Sequence, residues 1–292
     1  MGQWLLLPLS VVGFALNGVC TKWFQRRFQR APSSLLLYQG LFCLAAALCF
    51  GISSLPAFAL DLYTLGMGML YGLLYVMAVW GLARGYQLGS LSLTDMLVNL
   101  SFVIPILYSV LFLHEGVRLT QAVGLVFLLA AFVLSYQSGE KGNGRTVHWA
   151  ILVFLAFLAN GITAVIQKLY KREMPAAADG PFMGIAYLTA AALFLLLFWR
   201  RRSAEEPRDR LTANPWGMTA LAAVAGAGGF VGNGLLMRLS TQIDAVVLYP
   251  CVNGGLSLLL AAVSFLFFRE KLTPRKGSAI AAGLVAIVLL NL

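Results

Sequence analysis

Asp95 is the acidic side chain lying deepest within an apolar stretch of this chain, and Asn99, Phe102 and Ser109 follow it along one face of a helix. A carboxylate in that setting can hold a cationic group or take up a proton as its surroundings change. A helix beginning near Leu91 puts Asp95 about one turn inside, ~5 to 6 Å, where it can equally serve the helix dipole close to headgroup water. A second stripe runs through Tyr249, Asn253, Ser257 and Ser264. Asn17 lies in line with Ser10, Phe14 and Thr21, and Asn160 with Phe157, Ala164 and Gln167. Buried amides either bond helix to helix or face a cavity. Tyr71, Tyr75 and Trp80 can pack on the apolar surface of a ligand, face a positive group, or stand against lipid. The substrate-binding candidates are therefore Asn17, Tyr71, Tyr75, Asp95, Asn99, Asn160, Tyr249 and Asn253.

Catalytic patterns are absent from the sequence. Its two histidines, His114 and His148, sit at the ends of apolar stretches, and no zinc-protease, nucleotide-binding or serine-hydrolase motif occurs. Cys20, Cys43, Cys49 and Cys251 lie within apolar segments without metal-ligand spacing, which suits packing. No enzyme, cofactor or metal is expected, and any transport must run on a gradient or by exchange.

The elements that carry these residues follow from composition. With 60% hydrophobic and 11% charged residues, the chain has too little polar material to cover a water-soluble globule. A span needs roughly 20 apolar residues. Segments near 4–23, 33–52, 64–83, 91–113 and 119–137 meet that need, and so do 148–168, 180–199, 215–237, 243–268 and 274–292. The first reads as a retained span, because no basic region precedes Trp4 and Val19 stands where a cleavage site needs a small residue. The net charge of +10 comes from short runs of Lys and Arg between apolar stretches, a pattern that argues against nucleic acid as a partner.

The two halves resemble each other in order. Phe14-Ala15-Leu16-Asn17-Gly18-Val19 parallels Phe157-Leu158-Ala159-Asn160-Gly161-Ile162, and Leu82-Ala83-Arg84 parallels Leu236-Met237-Arg238. His114-Glu115-Gly116-Val117-Arg118-Leu119-Thr120 matches Arg269-Glu270-Lys271-Leu272-Thr273, with a turn two residues shorter. The expected fold is an all-α integral membrane protein of ten transmembrane helices in two inverted five-helix repeats, 1–137 and 148–292, joined by a linker at 138–147. Five spans per repeat is an odd number, so the second copy enters the bilayer from the opposite side. Alternate faces then hold 16 and five of the 21 Lys and Arg residues. The positive-inside rule puts the richer face in the cytoplasm and both termini outside, in a multi-pass protein of the cell membrane.

Val110-Leu111-Phe112-Leu113-His114-Glu115 and Phe265-Leu266-Phe267-Phe268-Arg269-Glu270 each give a hydrophobic run, an acidic residue and a turn into a Gly-containing span. In these features the chain resembles the drug/metabolite transporter superfamily, and within it the EamA-type transporters. The resemblance implies an inverted-repeat bundle with a central cavity that moves small organic solutes. Where many relatives carry an early Pro in the fourth span, this chain has Asn99-Leu100-Ser101-Phe102 and reaches Pro105 later. Asn17 and Asn160 stand where the small multidrug exporters carry an acid, which argues against a proton-coupled cation exporter of that type.

These features lead to a secondary transporter or exchanger of a small polar metabolite, amino-acid-like, zwitterionic or amine, working by alternating access. Its partners are the solute and membrane lipids; coupling to a proton or ion and the oligomeric state stay open. The alternative is a membrane-embedded lipid-handling protein, a scramblase or enzyme, and a third reading is a receptor or assembly partner that moves nothing.

Overall fold

In the computed structural model the described residues are 2–28, 32–55, 61–89, 94, 97–135, 146–175, 179–202, 214–268 and 274–290, and they contain no strand. The helices are α1 (Gly2–Arg27), α2 (Pro32–Ser54), α3 (Leu62–Leu88), α4 (Val103–Phe112), α5 (Leu119–Ser135), α6 (Thr146–Glu173), α7 (Asp179–Arg202), α8 (Pro215–Leu239), α9 (Ala245–Phe268) and α10 (Pro274–Leu290). Among the described residues, α1, α2, α3, α6, α7 and α8 are long and apolar enough to cross a membrane. Shorter apolar stretches occupy α4, α5, α9 and α10. The chain is thus a multi-pass helical membrane protein. Large apolar side chains such as Leu62, Trp199 and Trp216 remain on its surface, as a lipid solvent permits.

Local chemistry sets the helix ends. Pro32, Pro215 and Pro274 open α2, α8 and α10, where the missing N–H is no loss. Asn214 Oδ1 accepts from the Gly217 N–H at 2.9 Å and Asp61 Oδ1 from the Thr64 N–H at 3.0 Å, capping α8 and α3. The Thr64 bonds hold the exposed Asp61 carboxyl below its ordinary range. Gln121 Oε1 reaches back to the Arg118 N–H at 3.0 Å to start α5. Span four, expected at 91–113, is helical at residue 94 and over 97–112, and its helix passes through a 3-10 turn at Leu100–Phe102 before α4 begins two residues ahead of Pro105.

The chain packs as two compact units. Unit 1 is Met1–Val76 with Tyr170–Arg238, and unit 2 is Met77–Leu169 with Leu239–Leu292, so α3 and α6 each contribute to both and each unit draws on both halves of the sequence.

In unit 1, α1 and α8 meet at their backbones. A Cβ on Gly13 would lie 2.6 Å from the Gly232 nitrogen, and Ser10 Oγ donates to the Gly232 carbonyl at 2.9 Å. Gly226 similarly meets Ala45 and Ala46 of α2, while Gly68 and Gly72 of α3 meet Ile185 and Ala186 of α7. These glycines of spans three and eight are packing residues, as the small-residue rule predicts. Helix α2 runs antiparallel on α7, bringing Gly40 to Leu195 and Ser54 to Gly180.

In unit 2, the end of α3 lies antiparallel on α6, with Gly81 at Ala156 and Gly89 at Trp149. The segment that leads into α4 runs parallel to α6, pairing Val98 with Val153 and Ser101 of the 3-10 turn with Asn160. Helix α5 packs along α10, where Gly124 meets Ala286 and Leu290.

Candidate functional site

Unit 1 gathers its chemistry on an aromatic core. Tyr187 of α7 is fully buried and stacks on Phe50 at 5.8 Å between ring centroids. Phe42 and Tyr75 meet it edge-on, both at 5.9 Å. The Tyr187 hydroxyl accepts a hydrogen bond from Asn233 Nδ2 at 2.8 Å, which satisfies a phenol that would otherwise be buried without a partner. Tyr75 is half-buried and its ring also meets Phe194; Tyr71 is buried against Phe182, 5.8 Å away. The two tyrosines singled out in span three therefore belong to one aromatic wall.

Asn17 lies at the α1–α2 contact of the same unit. The Thr21 hydroxyl is 3.3 Å from Asn17 Oδ1 and 3.5 Å from the Tyr38 hydroxyl, and the Tyr38 ring stacks on Phe24 at 4.3 Å. These members are neutral hydroxyl, amide and ring groups.

Unit 2 carries a polar seam along α6. Trp149 Nε1 donates to Thr94 Oγ1 at 2.9 Å, and Asn160 Nδ2 donates to Ser101 Oγ at 2.6 Å. One turn on, the Tyr249 hydroxyl donates to the Ala164 carbonyl at 3.1 Å, and Asn253 Nδ2 folds back on the Tyr249 carbonyl at 2.9 Å. Gly161 lets the backbones close, since a Cβ there would lie 2.8 Å from the Ser101 carbonyl oxygen. Pro105 has no N–H to offer that carbonyl. Asn160, Tyr249 and Asn253 thus share one seam, with Asn99 half-buried at the start of the 3-10 turn. Asp95 lies outside the described residues.

Ser109, on the α4 stripe, is fully buried, and among the described residues its Oγ is the buried side-chain atom without a hydrogen-bond partner. Such an orphan costs about 1 to 3 kcal/mol.

Charge sits at the helix ends. Lys168 of α6, 5% exposed, pairs with Glu115, whose other oxygen accepts from the Ala245 N–H at 2.8 Å. Glu115 therefore does take part in an ion pair at a turn, but with a residue of α6 and not with the adjacent His114. In unit 1, Asp179 accepts from Lys171 Nζ at 2.6 Å and faces Arg238 Nε at 3.5 Å.

Sequence reasoning passed over Tyr187, Asn233, Tyr38 and the Glu115–Lys168 pair. Tyr187 and Asn233 were visible as lone polar residues in apolar spans, but nothing in spacing alone says that they meet. Lys168 read as a charge at the end of the span 148–168, whereas α6 continues to Glu173 and buries it.

Residues 147–292 match the model of a family described as the EamA-like transporter family. No curated protein matches. A solved structure, described only as the crystal structure of a protein, superposes with a TM-score of 0.73 at 15% identity, over 99% of this chain and 96% of that one. At that identity the likeness is one of fold.

Proposed function

The chain belongs to the EamA-like transporter family, and from that premise we propose that it is a secondary transporter or exchanger of a small polar metabolite, amino-acid-like, zwitterionic or amine, working by alternating access. The observation that carries the proposal is which helices pair. Under the ten-span reading, α2 and α7 are the second spans of the two repeats, and they pack antiparallel in unit 1. Helices α5 and α10, the fifth spans, pack together in unit 2. An inverted repeat of 1–137 on 148–292 needs equivalent spans to run in opposite directions, and the antiparallel α2–α7 pair supports that reading.

The solute class follows from the side chains. The aromatic wall of Tyr75 and Tyr187 and the amide seam of Asn160 and Asn253 offer hydrogen bonds and ring faces. Asp95 would hold the amine. Ser109 keeps a polar group in reserve, unpaired in this conformation and ready for a new partner when the helices shift. The membrane is the cell membrane, with both termini outside. The positive-inside rule counts Lys and Arg, and only five of the 21 fall on the predicted outer face, among them Lys168, Lys171 and Arg238, which pair with Glu115 and Asp179.

The test is a thermal-shift screen of the purified protein, and of its Asp95→Asn variant, against amines, zwitterions, organic anions and lipids. A ligand at 100 times its Kd stabilises by about 2.7 kcal/mol. Stabilisation by a zwitterion or amine, lost in Asp95→Asn, supports the reading. Stabilisation by lipids alone overturns it in favour of lipid handling.

A further inference from the structure

Glu115 joins three elements of unit 2: the turn after α4, the last turns of α6 and the start of α9. Its side chain is 15% exposed and that of its partner Lys168 is 6% exposed. A pair so shielded keeps most of its attraction, and loss of either member strands the other charge away from water. The second carboxylate oxygen takes the N–H of Ala245 at 2.8 Å, where the positive end of the α9 dipole favours an anion.

The turn holds the carboxylate in that place. The N–H groups of Leu113 and Glu115 converge on the Ser109 carbonyl at 3.0 and 3.2 Å, closing the turn that ends α4. His114 occupies its left-handed position at φ 55, where glycine is usual. By contrast, the next contact inward between α9 and α6 is neutral, the Tyr249 hydroxyl on the Ala164 carbonyl.

We propose that Glu115 and Lys168 form a latch that docks the N-terminal end of α9 on α6, and that its opening is the event that brings water to the middle of α9. The latch works whatever solute the protein carries. It belongs to the moving parts of the protein and not to its binding surface.

Cys251 reports on it. This thiol lies six residues into α9 and is 2% exposed, so alkylation requires α9 to leave its docked position. Cys43, buried in unit 1, reports global unfolding in the same sample. In detergent-purified full-length protein, N-ethylmaleimide labelling read peptide by peptide is expected to be about tenfold faster at Cys251 in both Glu115→Gln and Lys168→Met, with Cys43 unchanged. Tenfold corresponds to about 1.4 kcal/mol of latch energy. Lys168→Arg, which keeps the pair, is expected to label like the parent. An unchanged Cys251 rate, or a rise at Cys43 in parallel, overturns the latch. If the charge-removing variants do not fold, hydrogen exchange on the parent protein decides. Amides of the first turn of α9 are then expected to exchange together and ahead of residues 251–258, and uniform exchange along the helix overturns the proposal.

Discussion

Asn160 donates through Nδ2 to the hydroxyl of Ser101 across a gap of 2.6 Å, at the point where Gly161 brings the backbone of α6 onto that of the 3-10 turn before α4. The Asn-Gly pair that recurs in the two halves of the sequence thus has a physical meaning in the second half. Glycine permits the approach and the amide spends it on a bond. Interhelical bonds in membranes average ~0.6 kcal/mol and reach about 1.7. Asn160→Ala and Ser101→Ala are expected to be non-additive in thermal unfolding, with a coupling in that range. A coupling of zero would mean that the bond contributes nothing.

Glycine positions separate by what stands opposite them. Gly13→Ala pushes a methyl into the backbone of α8, with no side chain able to yield, and is expected to cost about 1 to 3 kcal/mol by overpacking. Gly66→Ala meets nothing within 4 Å and is expected to stabilise α3 by up to about 1 kcal/mol through helix propensity. Melting of the two variants side by side checks both signs.

Most of the fold was legible in the sequence, because each span must supply its own run of apolar residues. The expected 33–52 became Pro32–Ser54, and 215–237 became Pro215–Leu239. Span four was harder. Its polar face, its serine and its late Pro105 combine in a 3-10 entry that hydrophobicity does not encode. The candidate site was legible as residue types but not as partners. Tyr75 and Tyr249 were visible as aromatics in apolar spans, yet what they touch, Tyr187 and the Ala164 carbonyl, lies far along the chain. Lys168 and Glu115 show the limit most clearly, since they are 53 residues apart and each looked like an ordinary charge at a helix end.

His114 is the non-glycine residue found in the left-handed region among the described residues. Its Cβ pays about 1 to 2 kcal/mol there, part of which a glycine would give back as chain entropy in the unfolded state. His114→Gly is therefore expected to raise stability by up to about 1 kcal/mol, and His114→Val to lower it, because a β-branched residue fits that region worst. A fall in melting temperature with glycine would show that the imidazole makes contacts that outweigh the strain.

Tyr187 and Asn233 separate packing from ligand contact. Tyr187→Phe keeps the ring stacked on Phe50 and removes only the acceptor of the Asn233 bond. If the hydroxyl serves structure alone, the loss is about 0.5 to 1.5 kcal/mol of stability and solute-induced stabilisation is intact. If the aromatic wall binds solute, Tyr75→Ala is expected to reduce that stabilisation while Tyr187→Phe leaves most of it. Equal ligand response in Tyr75→Ala and the parent protein would remove Tyr75 from the site.

Orientation in the membrane can be read from two exposed positions that the ten-span reading of the sequence assigns to opposite faces. Gln25 lies near the end of α1, beside Arg26 and Arg27, on the face assigned to the cytoplasm. Gly116 lies in the turn between α4 and α5, on the face where the described cations Lys168, Lys171 and Arg238 are paired with acids. The turn has room for a probe, since a Cβ on Gly116 meets nothing within 4 Å. Because Lys and Arg retain a loop in the cytoplasm, the face that holds five of the 21 is the one expected to be translocated. Gly116→Cys is accordingly expected to react with a membrane-impermeant maleimide in intact cells, and Gln25→Cys only after the membrane is opened. The opposite pattern would reverse the orientation and place both termini in the cytoplasm, leaving the helix packing within each unit unchanged.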